Sequence, residues 1–283
     1  MATSRRINNV AIVGVGMIGG SIGMALRRRG IANQVVGIGQ RQSTLRIARQ
    51  RGAISSSTVN LKRGVSEADL VVICTPVRTI PDLVCATAEA APPGALITDA
   101  GSTKTDIVQK LKGRLGPGAR YLGSHPLAGS EQSGPQNADA SLLEGRTVIV
   151  TPTRGTDSTD RRRLKRFWNS LGARVAEMTP SEHDRCVAAI SHLPHLVATA
   201  LASSTANQEL PFAASGWMDT TRVASGDVDM WIDILKENRD HVLKSARRFE
   251  KLMGSLCNAL QRNDTRTMRR ILQDAKQKRD SIM

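Results

Sequence analysis

From Val10 to Gly30 the chain reads V-A-I-V-G-V-G-M-I-G-G-S-I-G-M-A-L-R-R-R-G, which is an apolar strand, a glycine-spaced turn and an amphipathic helix. In the pattern G-x-G-x-x-G, the first glycine allows a tight turn and the second lets backbone amides approach a pyrophosphate. The third lets helix and strand pack closely. The stretch therefore predicts a Rossmann-type α/β fold that binds a dinucleotide. The residues expected to contact it here are Gly14, Gly16, Met17, Ile18 and Gly19.

The predicted secondary-structure pattern changes at Thr179. Up to Met178, short apolar runs such as Arg120–Ser124 alternate with helical patterns, which indicates a parallel sheet with crossover helices. Thr179-Pro180-Ser181-Glu182 is a capping box that opens a long helix, and only helical patterns follow it. We expect a dinucleotide-binding domain at residues 1–178 and an all-helical dimerisation domain at 179–283, with an apolar stripe typical of a core or a dimer seam.

Composition limits the classes of partner. The 283 residues include 40 Lys and Arg and 25 Asp and Glu, which gives a net charge of +15. Such a positive charge makes nucleic acid a candidate partner. However, residues 239–283 hold twelve basic and five acidic residues, so +7 lies in a helix-patterned segment that can be a solvated face or attract anionic ligands. Aromatic residues do not interleave with the basic runs as base stacking requires. We therefore expect no nucleic-acid partner.

The expected location follows from the cysteines and from hydropathy. The four cysteines are scattered and form no C-x-x-C pair, which is typical of reduced thiols in a cytosol. Apolar runs of transmembrane length are not evident in the sequence, so no membrane partner is expected. These features predict a cytoplasmic protein.

The residues at the end of the second predicted strand indicate which dinucleotide binds, because NAD-binding proteins usually carry Asp or Glu there. The chain there reads Val36-Gly37-Ile38-Gly39-Gln40-Arg41-Gln42-Ser43, with no acidic residue. Arg41 can meet a 2′-phosphate, or it can simply begin a surface helix. The pattern favours NADP, with NAD possible. The cofactor contacts expected outside the glycine turn are Gln40, Arg41, Ser43, Thr75 and Pro76.

Several polar residues follow predicted strands or share one helix face. Ser102 lies in a glycine turn after one strand, and His125 ends another. His192 and His195 are three residues apart and therefore share a helix face, where they could bind zinc, but no third ligand matches, so no metal is expected. Arg222 could form a surface salt bridge or hold a carboxylate.

These segments together resemble the prephenate/arogenate dehydrogenase family of tyrosine biosynthesis over nearly the whole chain. The resemblance is carried by residues 14–21, 98–104, 123–134, 191–195, 219–222 and 229–233. It implies oxidative decarboxylation of prephenate to 4-hydroxyphenylpyruvate on a nicotinamide dinucleotide. It also implies a homodimer built from the helical domain.

The resemblance also implies roles for individual residues. His125 matches a catalytic histidine that hydrogen-bonds the substrate's ring hydroxyl, Ser102 contacts the same hydroxyl, and Arg222 binds a substrate carboxylate. Five further residues match positions in or around the substrate pocket. Expected substrate contacts are His192 and His195 in the helical motif, Ser130 and Glu131 at the pocket entrance, and Trp231 near it.

Other interpretations remain open on the sequence alone. Arogenate differs from prephenate in carrying an ammonium group that an acidic residue would favour. Neutral Gln132 after Glu131 favours prephenate, whereas an NADP preference favours arogenate, and a dual-specificity cyclohexadienyl dehydrogenase is also compatible. A β-hydroxyacid dehydrogenase would need a helical-domain lysine near a glycine pair, which is not found. A basic nucleic-acid-binding protein is the remaining alternative.

Overall fold

Six parallel strands form the main sheet within residues 7–129 and 132–282, which are those that the computed structural model describes. Ser130 and Glu131 lie outside the described residues. The strand order is β3-β2-β1-β4-β5-β6, so the chain reverses its direction of travel between β1 and β4. Ligands of such sheets bind outside the carboxyl ends of the strands at this switch point. The strands are β1 Ile7–Val13, β2 Ala32–Ile38, β3 Ser56–Thr58, β4 Leu70–Ile73, β5 Leu96–Asp99 and β6 Arg120–Tyr121.

Helices cover both faces of this sheet, as a parallel sheet requires. Alternate residues of β1 join different apolar cores: Val10 and Ile12 pack in one, Ala11 and Val13 in the other. Both faces are buried, which explains the unbroken apolar run V-A-I-V. The helices of this part are α1 Met17–Arg28, α2 Gln42–Gln50, α3 Leu61–Val65, α4 Ile80–Ala90, α5 Thr105–Leu111 and α6 Ser158–Ser170.

A second, three-stranded sheet lies beside the first and was not expected. It contains β7 Gly123–Pro126, β8 Thr147–Thr151 and β9 Arg174–Glu177, with β7 antiparallel to β8 and β8 parallel to β9. The single strand expected at Arg120–Ser124 is therefore divided at Leu122 between the two sheets. Gly123 permits the close approach, since a Cβ there would lie 2.7 Å from the Thr151 hydroxyl oxygen. His125 consequently lies within β7 rather than after a strand.

Beyond Thr179 the described residues form helices joined by turns and no strand, which confirms the predicted class of the C-terminal part. The Thr179 and Glu182 capping box is present, with each side chain hydrogen-bonded to the backbone of the other residue. The helices are α7 Pro180–Val187, a π-helical turn Ala188–His192, α8 Leu193–Ser204, α9 Ser215–Thr221, α10 Val228–Glu237, α11 Arg239–Gln261 and α12 Thr265–Asp280.

Two compact units can be separated, one ending at Asn238 and one comprising residues 239–283. The second unit consists of α11 and α12, which pack on each other. The boundary at residue 178 stays a prediction about how the chain divides into domains.

One helical stretch, Pro180–Ser204, is long and apolar enough by length and composition to cross a membrane, with a mean hydropathy of 1.4 over its best window. The expectation that no run reaches this length overlooked it. Its Asp184 carboxylate accepts hydrogen bonds from the backbone of Lys104 and Thr105, so this helix packs against the end of the main sheet. The core helix of a globular fold satisfies the same test of length and composition.

Candidate active site

The turn after β1, which we call the phosphate turn (residues 14–19), is shaped by contacts that exclude side chains. A Cβ on Gly14, whose φ is +90°, would lie 2.6 Å from the Cys74 carbonyl oxygen, and one on Gly19 would lie 2.2 Å from the Gly14 carbonyl oxygen. In contrast, a Cβ on Gly16 meets no atom of the described residues within 4 Å. Gly16 is the N-cap of α1, so the open space faces helix amides that can hold a pyrophosphate.

The remaining residues expected to contact the cofactor lie at the same edge of the sheet. Thr75 and Pro76 follow β4, which pairs directly with β1. Gln40, Arg41 and Ser43 follow β2 and are all exposed, with Arg41 at the N-cap of α2. The ends of three adjacent strands thus present one continuous edge for an extended dinucleotide.

A buried ion pair holds the turn that carries Ser102. The Lys104 ammonium contacts the Asp99 carboxylate at the end of β5, and both side chains are fully buried. The same carboxylate accepts hydrogen bonds from the Gly101 backbone at 2.9 Å and from the Tyr121 hydroxyl at 2.8 Å. Half-buried Ser102 lies between these anchored positions. Sequence reasoning missed this pair, although a lysine and an aspartate flanking A-G-S-T at a buried strand end were its signal.

His125 is the first member of a buried hydrogen-bonded series that we call the histidine chain (His125, His183, Asp184). His125 Nδ1 lies 2.9 Å from His183 Nε2, and His183 Nδ1 lies 2.7 Å from Asp184 Oδ1. The ionised carboxylate only accepts, so His183 carries its proton on Nδ1 and its Nε2 accepts. His125 must then donate from Nδ1, which leaves its Nε2 with a lone pair.

The surroundings keep His125 neutral. Burial lowers its pKa well below the ordinary value, and electrostatic interactions with His183, Lys104 and His192 lower it further, because they oppose an added positive charge on the ring. Burial also lowers the pKa of His183, although Asp184 opposes this. A neutral imidazole with a free Nε2 can accept a proton. Neither His183 nor Asp184 was found from the sequence, where the adjacent pair H-D in an amphipathic helix was the available signal.

The helical part contributes a second group of rings. His195 stacks on Trp231 with a centroid distance of 3.6 Å and an interplanar angle of 9°, and His192 meets the same indole edge-on at 6.0 Å. Burial lowers the pKa of His192 to about 4. For His195, burial lowers the pKa and a hydrogen bond to the Val223 backbone opposes the change. The three rings expected from the resemblance thus lie together.

Arg222 lies in the 3₁₀ turn Arg222–Ser225, which packs on α8, the helix that carries His195. Its side chain is exposed. Among residues 7–129 and 132–282, no group of three or more His, Cys, Asp or Glu is arranged to hold a metal ion. The expected entrance residues Ser130 and Glu131 lie outside this part of the chain.

Open space beside Gly16 at the N-terminus of α1 and a buried neutral imidazole are features of a dehydrogenase that uses a nicotinamide dinucleotide. Comparison with known proteins supports this class of enzyme and identifies the family. Residues 22–177 match the family model "Prephenate dehydrogenase, nucleotide-binding domain", and residues 179–274 match "Prephenate dehydrogenase, dimerization domain". The chain belongs to the prephenate dehydrogenase family and is a nicotinamide-dependent dehydrogenase.

Individual relatives are similar over almost the whole chain. Prephenate dehydrogenase of Bacillus subtilis (strain 168) is 33% identical over 282 residues, covering 97% of this chain and 76% of the relative. Cyclohexadienyl dehydrogenase of Zymomonas mobilis is 31% identical over 264 residues, covering 90% of this chain and 89% of the relative. The crystal structure of A. aeolicus prephenate dehydrogenase with hydroxyphenyl propionate and NAD⁺ superimposes with a TM-score of 0.91 at 33% identity, covering 99% of this chain and all of that one.

Proposed function

We propose that this protein catalyses the nicotinamide-dependent oxidative decarboxylation of prephenate to 4-hydroxyphenylpyruvate, a step of tyrosine biosynthesis. The observation that carries the proposal is the tautomer of the buried residue His125, whose Nε2 keeps a lone pair. Purified protein should reduce the dinucleotide with prephenate and release one carbon dioxide per turnover. A protein that turns over neither prephenate nor arogenate would contradict the proposal.

The proposed chemistry follows from these groups. His125 Nε2 takes the proton of the hydroxyl on ring carbon C4. A nicotinamide dinucleotide held at the phosphate turn would supply the acceptor for the hydride that leaves the same carbon. The resulting dienone loses the C1 carboxylate as carbon dioxide, and the ring becomes aromatic when a proton returns to the oxygen. Ser102 orients the hydroxyl, which contributes by positioning. Arg222 holds a substrate carboxylate through its guanidinium fork.

The other expected contacts surround these three. We propose that His192 and His195 contact the substrate and that Trp231, stacked on His195, closes one side of its pocket. Ser130 and Glu131 are proposed to flank the entrance.

For the cofactor we propose NADP. The exposed Gln40 and Arg41 at the end of β2 support it, because a guanidinium can pair with the 2′-phosphate where NAD-specific proteins carry an acid. The Gly39→Asp variant should change the preference to NAD; its new Cβ would lie 3.2 Å from the Leu45 side chain, which must shift slightly. KM values for both cofactors measure this. A preference of wild-type protein for NAD by tenfold or more would reject NADP.

Prephenate is preferred over arogenate in this proposal because Gln132, after the entrance residues, offers no negative charge to an ammonium group. The NADP proposal favours arogenate instead, so a dual-specificity enzyme is the second candidate. Steady-state kinetics with both substrates and both cofactors distinguish the three cases.

We further propose a cytoplasmic homodimer without nucleic-acid or membrane partners. Exposed apolar residues on α11 and α12 support the dimer, since such surfaces are usually covered. They are Leu252, Met253, Leu260 and Leu272, which are 48, 45, 66 and 65% exposed. Sedimentation velocity should give twice the mass of the chain at micromolar concentration, and a monomer would contradict it.

A further inference from the structure

Asn238, the C-cap of α10, is buried and joins two parts of the site through one amide nitrogen. Its Nδ2 lies 2.7 Å from the Asp184 carbonyl oxygen and 3.2 Å from His192 Nδ1. A carbonyl oxygen can only accept, so the amide must present its nitrogen on this side. The second hydrogen of that nitrogen is then directed at His192 Nδ1, which has to accept it.

This contact determines where His192 carries its proton. Burial keeps the ring neutral near neutral pH because its pKa falls to about 4. A neutral imidazole has one N–H, and since Nδ1 accepts, the proton is on Nε2. His192 is only 1% exposed, and its Nε2 has no hydrogen-bond partner among the described residues. A buried donor without a partner is costly, which indicates that a ligand oxygen completes it.

We infer that Asn238 is a positioning residue that holds His192 as an Nε2–H donor for a carboxylate oxygen of the substrate. This inference rests on the proposed function. The two histidines then have opposite tautomers: His125 accepts through Nε2 and His192 donates through Nε2. Asp184 anchors both, with its carboxylate holding His183 and its backbone carbonyl holding Asn238.

The first test inverts the tautomer with a nearly isosteric change. In Asn238→Asp the carboxylate cannot donate to the Asp184 carbonyl and attracts a proton to His192 Nδ1. Nitrogen-15 NMR of histidine-labelled protein distinguishes protonated from unprotonated ring nitrogens, with His192→Gln used to assign the signals. We expect Nε2–H in wild-type protein and Nδ1–H in the variant. The KM for prephenate should rise about 10- to 100-fold, the range for one hydrogen bond to a charged group, while kcat changes less.

A second pair of variants does not depend on Asn238→Asp folding. The amide nitrogen of glutamine can reach the position of a histidine Nε2, whereas that of asparagine reaches only the position of Nδ1. His192→Gln should therefore keep a lower KM for prephenate than His192→Asn, by at least tenfold. The dissociation constant for the cofactor should be the same in both variants.

Three results would overturn the inference: Nδ1–H on His192 in wild-type protein, unchanged ring signals in a folded Asn238→Asp variant, or equal KM values for His192→Gln and His192→Asn. The NMR measurement needs no turnover. Wild-type protein could show Nε2–H on His192 and yet convert neither prephenate nor arogenate. That result would contradict the proposed function and the contact between His192 and substrate, while the tautomer set by Asn238 would still hold.

Discussion

The phosphate turn and the histidine chain are built in opposite ways. The phosphate turn uses backbone atoms of six successive residues, and its shape depends on the absence of a side chain at Gly14 and Gly19. The histidine chain uses three side chains from β7 and α7, and its contact between His125 and His183 joins residues 58 positions apart in the sequence. The first site is therefore sensitive to added atoms and insensitive to pH, whereas the second is sensitive to charge and to proton position.

The largest expected effect concerns the charge beside the histidine chain. Replacing Lys104 by Met leaves Asp99 buried without its cation, which costs about 3–5 kcal/mol of unfolding free energy. Lys110→Met is the matched control, because Lys110 forms a partly exposed i,i+4 pair with Asp106 and should lose under about 0.5 kcal/mol. Urea denaturation of the two variants measures both values. Equal losses would show that burial does not distinguish the two pairs.

Removing the proposed base should impair catalysis at the histidine chain without changing cofactor binding at the phosphate turn. His125→Asn keeps an amide that can donate to His183 Nε2 but has no group in the Nε2 position. We expect kcat to fall at least about 10²-fold, with no change in the dissociation constant of the cofactor. His241→Asn on α11 serves as the control. Near-normal turnover of His125→Asn would remove this residue from the proposed chemistry.

Acid should weaken the folded state through the histidines. The pKa of His192 is about 4 in the folded protein against an ordinary 6.5, and those of His125 and His183 are also lowered. Between these values the unfolded chain binds protons that the folded chain does not, so stability is lost as pH falls from 6.5 towards 4. Each such histidine contributes up to about 1.4 kcal/mol per pH unit.

Urea midpoints at several pH values check this dependence. The slope should decrease in His192→Gln, whose side chain does not titrate. A slope that is the same in the variant would assign the acid sensitivity to other groups.

The smallest expected effect on folding lies in the phosphate turn. Gly16→Ala adds a methyl group to open space, so unfolding free energy should change by about 1 kcal/mol at most. The same methyl group obstructs the pyrophosphate, and the dissociation constant of the cofactor should rise about tenfold or more. Gly19→Ala is the opposite case, because its Cβ would collide with the Gly14 carbonyl oxygen and destabilise the fold itself. Calorimetry gives both quantities for each variant.

The phosphate turn and the histidine chain also differ in how far the sequence predicts them. Gly14, Gly16 and Gly19 are interpretable because strand, turn and helix are contiguous, and the capping box at Thr179 is equally local. Asp184 belongs to no local sequence motif, because its partners Lys104 and Asn238 are 80 and 54 residues away. Those pairings exist only once the sheet and the helices have packed.

The split of Arg120–Ser124 between two sheets has a similar origin. The segment has the composition of one strand, and the close approach of Gly123 to Thr151 that divides it is a tertiary contact. The sequence indicated His125 as a candidate because it ends a predicted strand, and the resemblance implied its catalytic role. Its partner His183 has no such motif.

The π-helical turn Ala188–His192 sets the angular phase of the helix that carries the histidines. His183 and His192 are nine positions apart, which in a regular α-helix of about 100° per residue would put them about 180° apart on opposite faces. The π turn absorbs about one extra residue and reduces this angle to about 80°. Both rings are consequently buried on the inner side of one helix. A regular α-helix with the same number of residues would rotate His192 and His195 away from His183, so the π turn is as much a part of the site as its side chains.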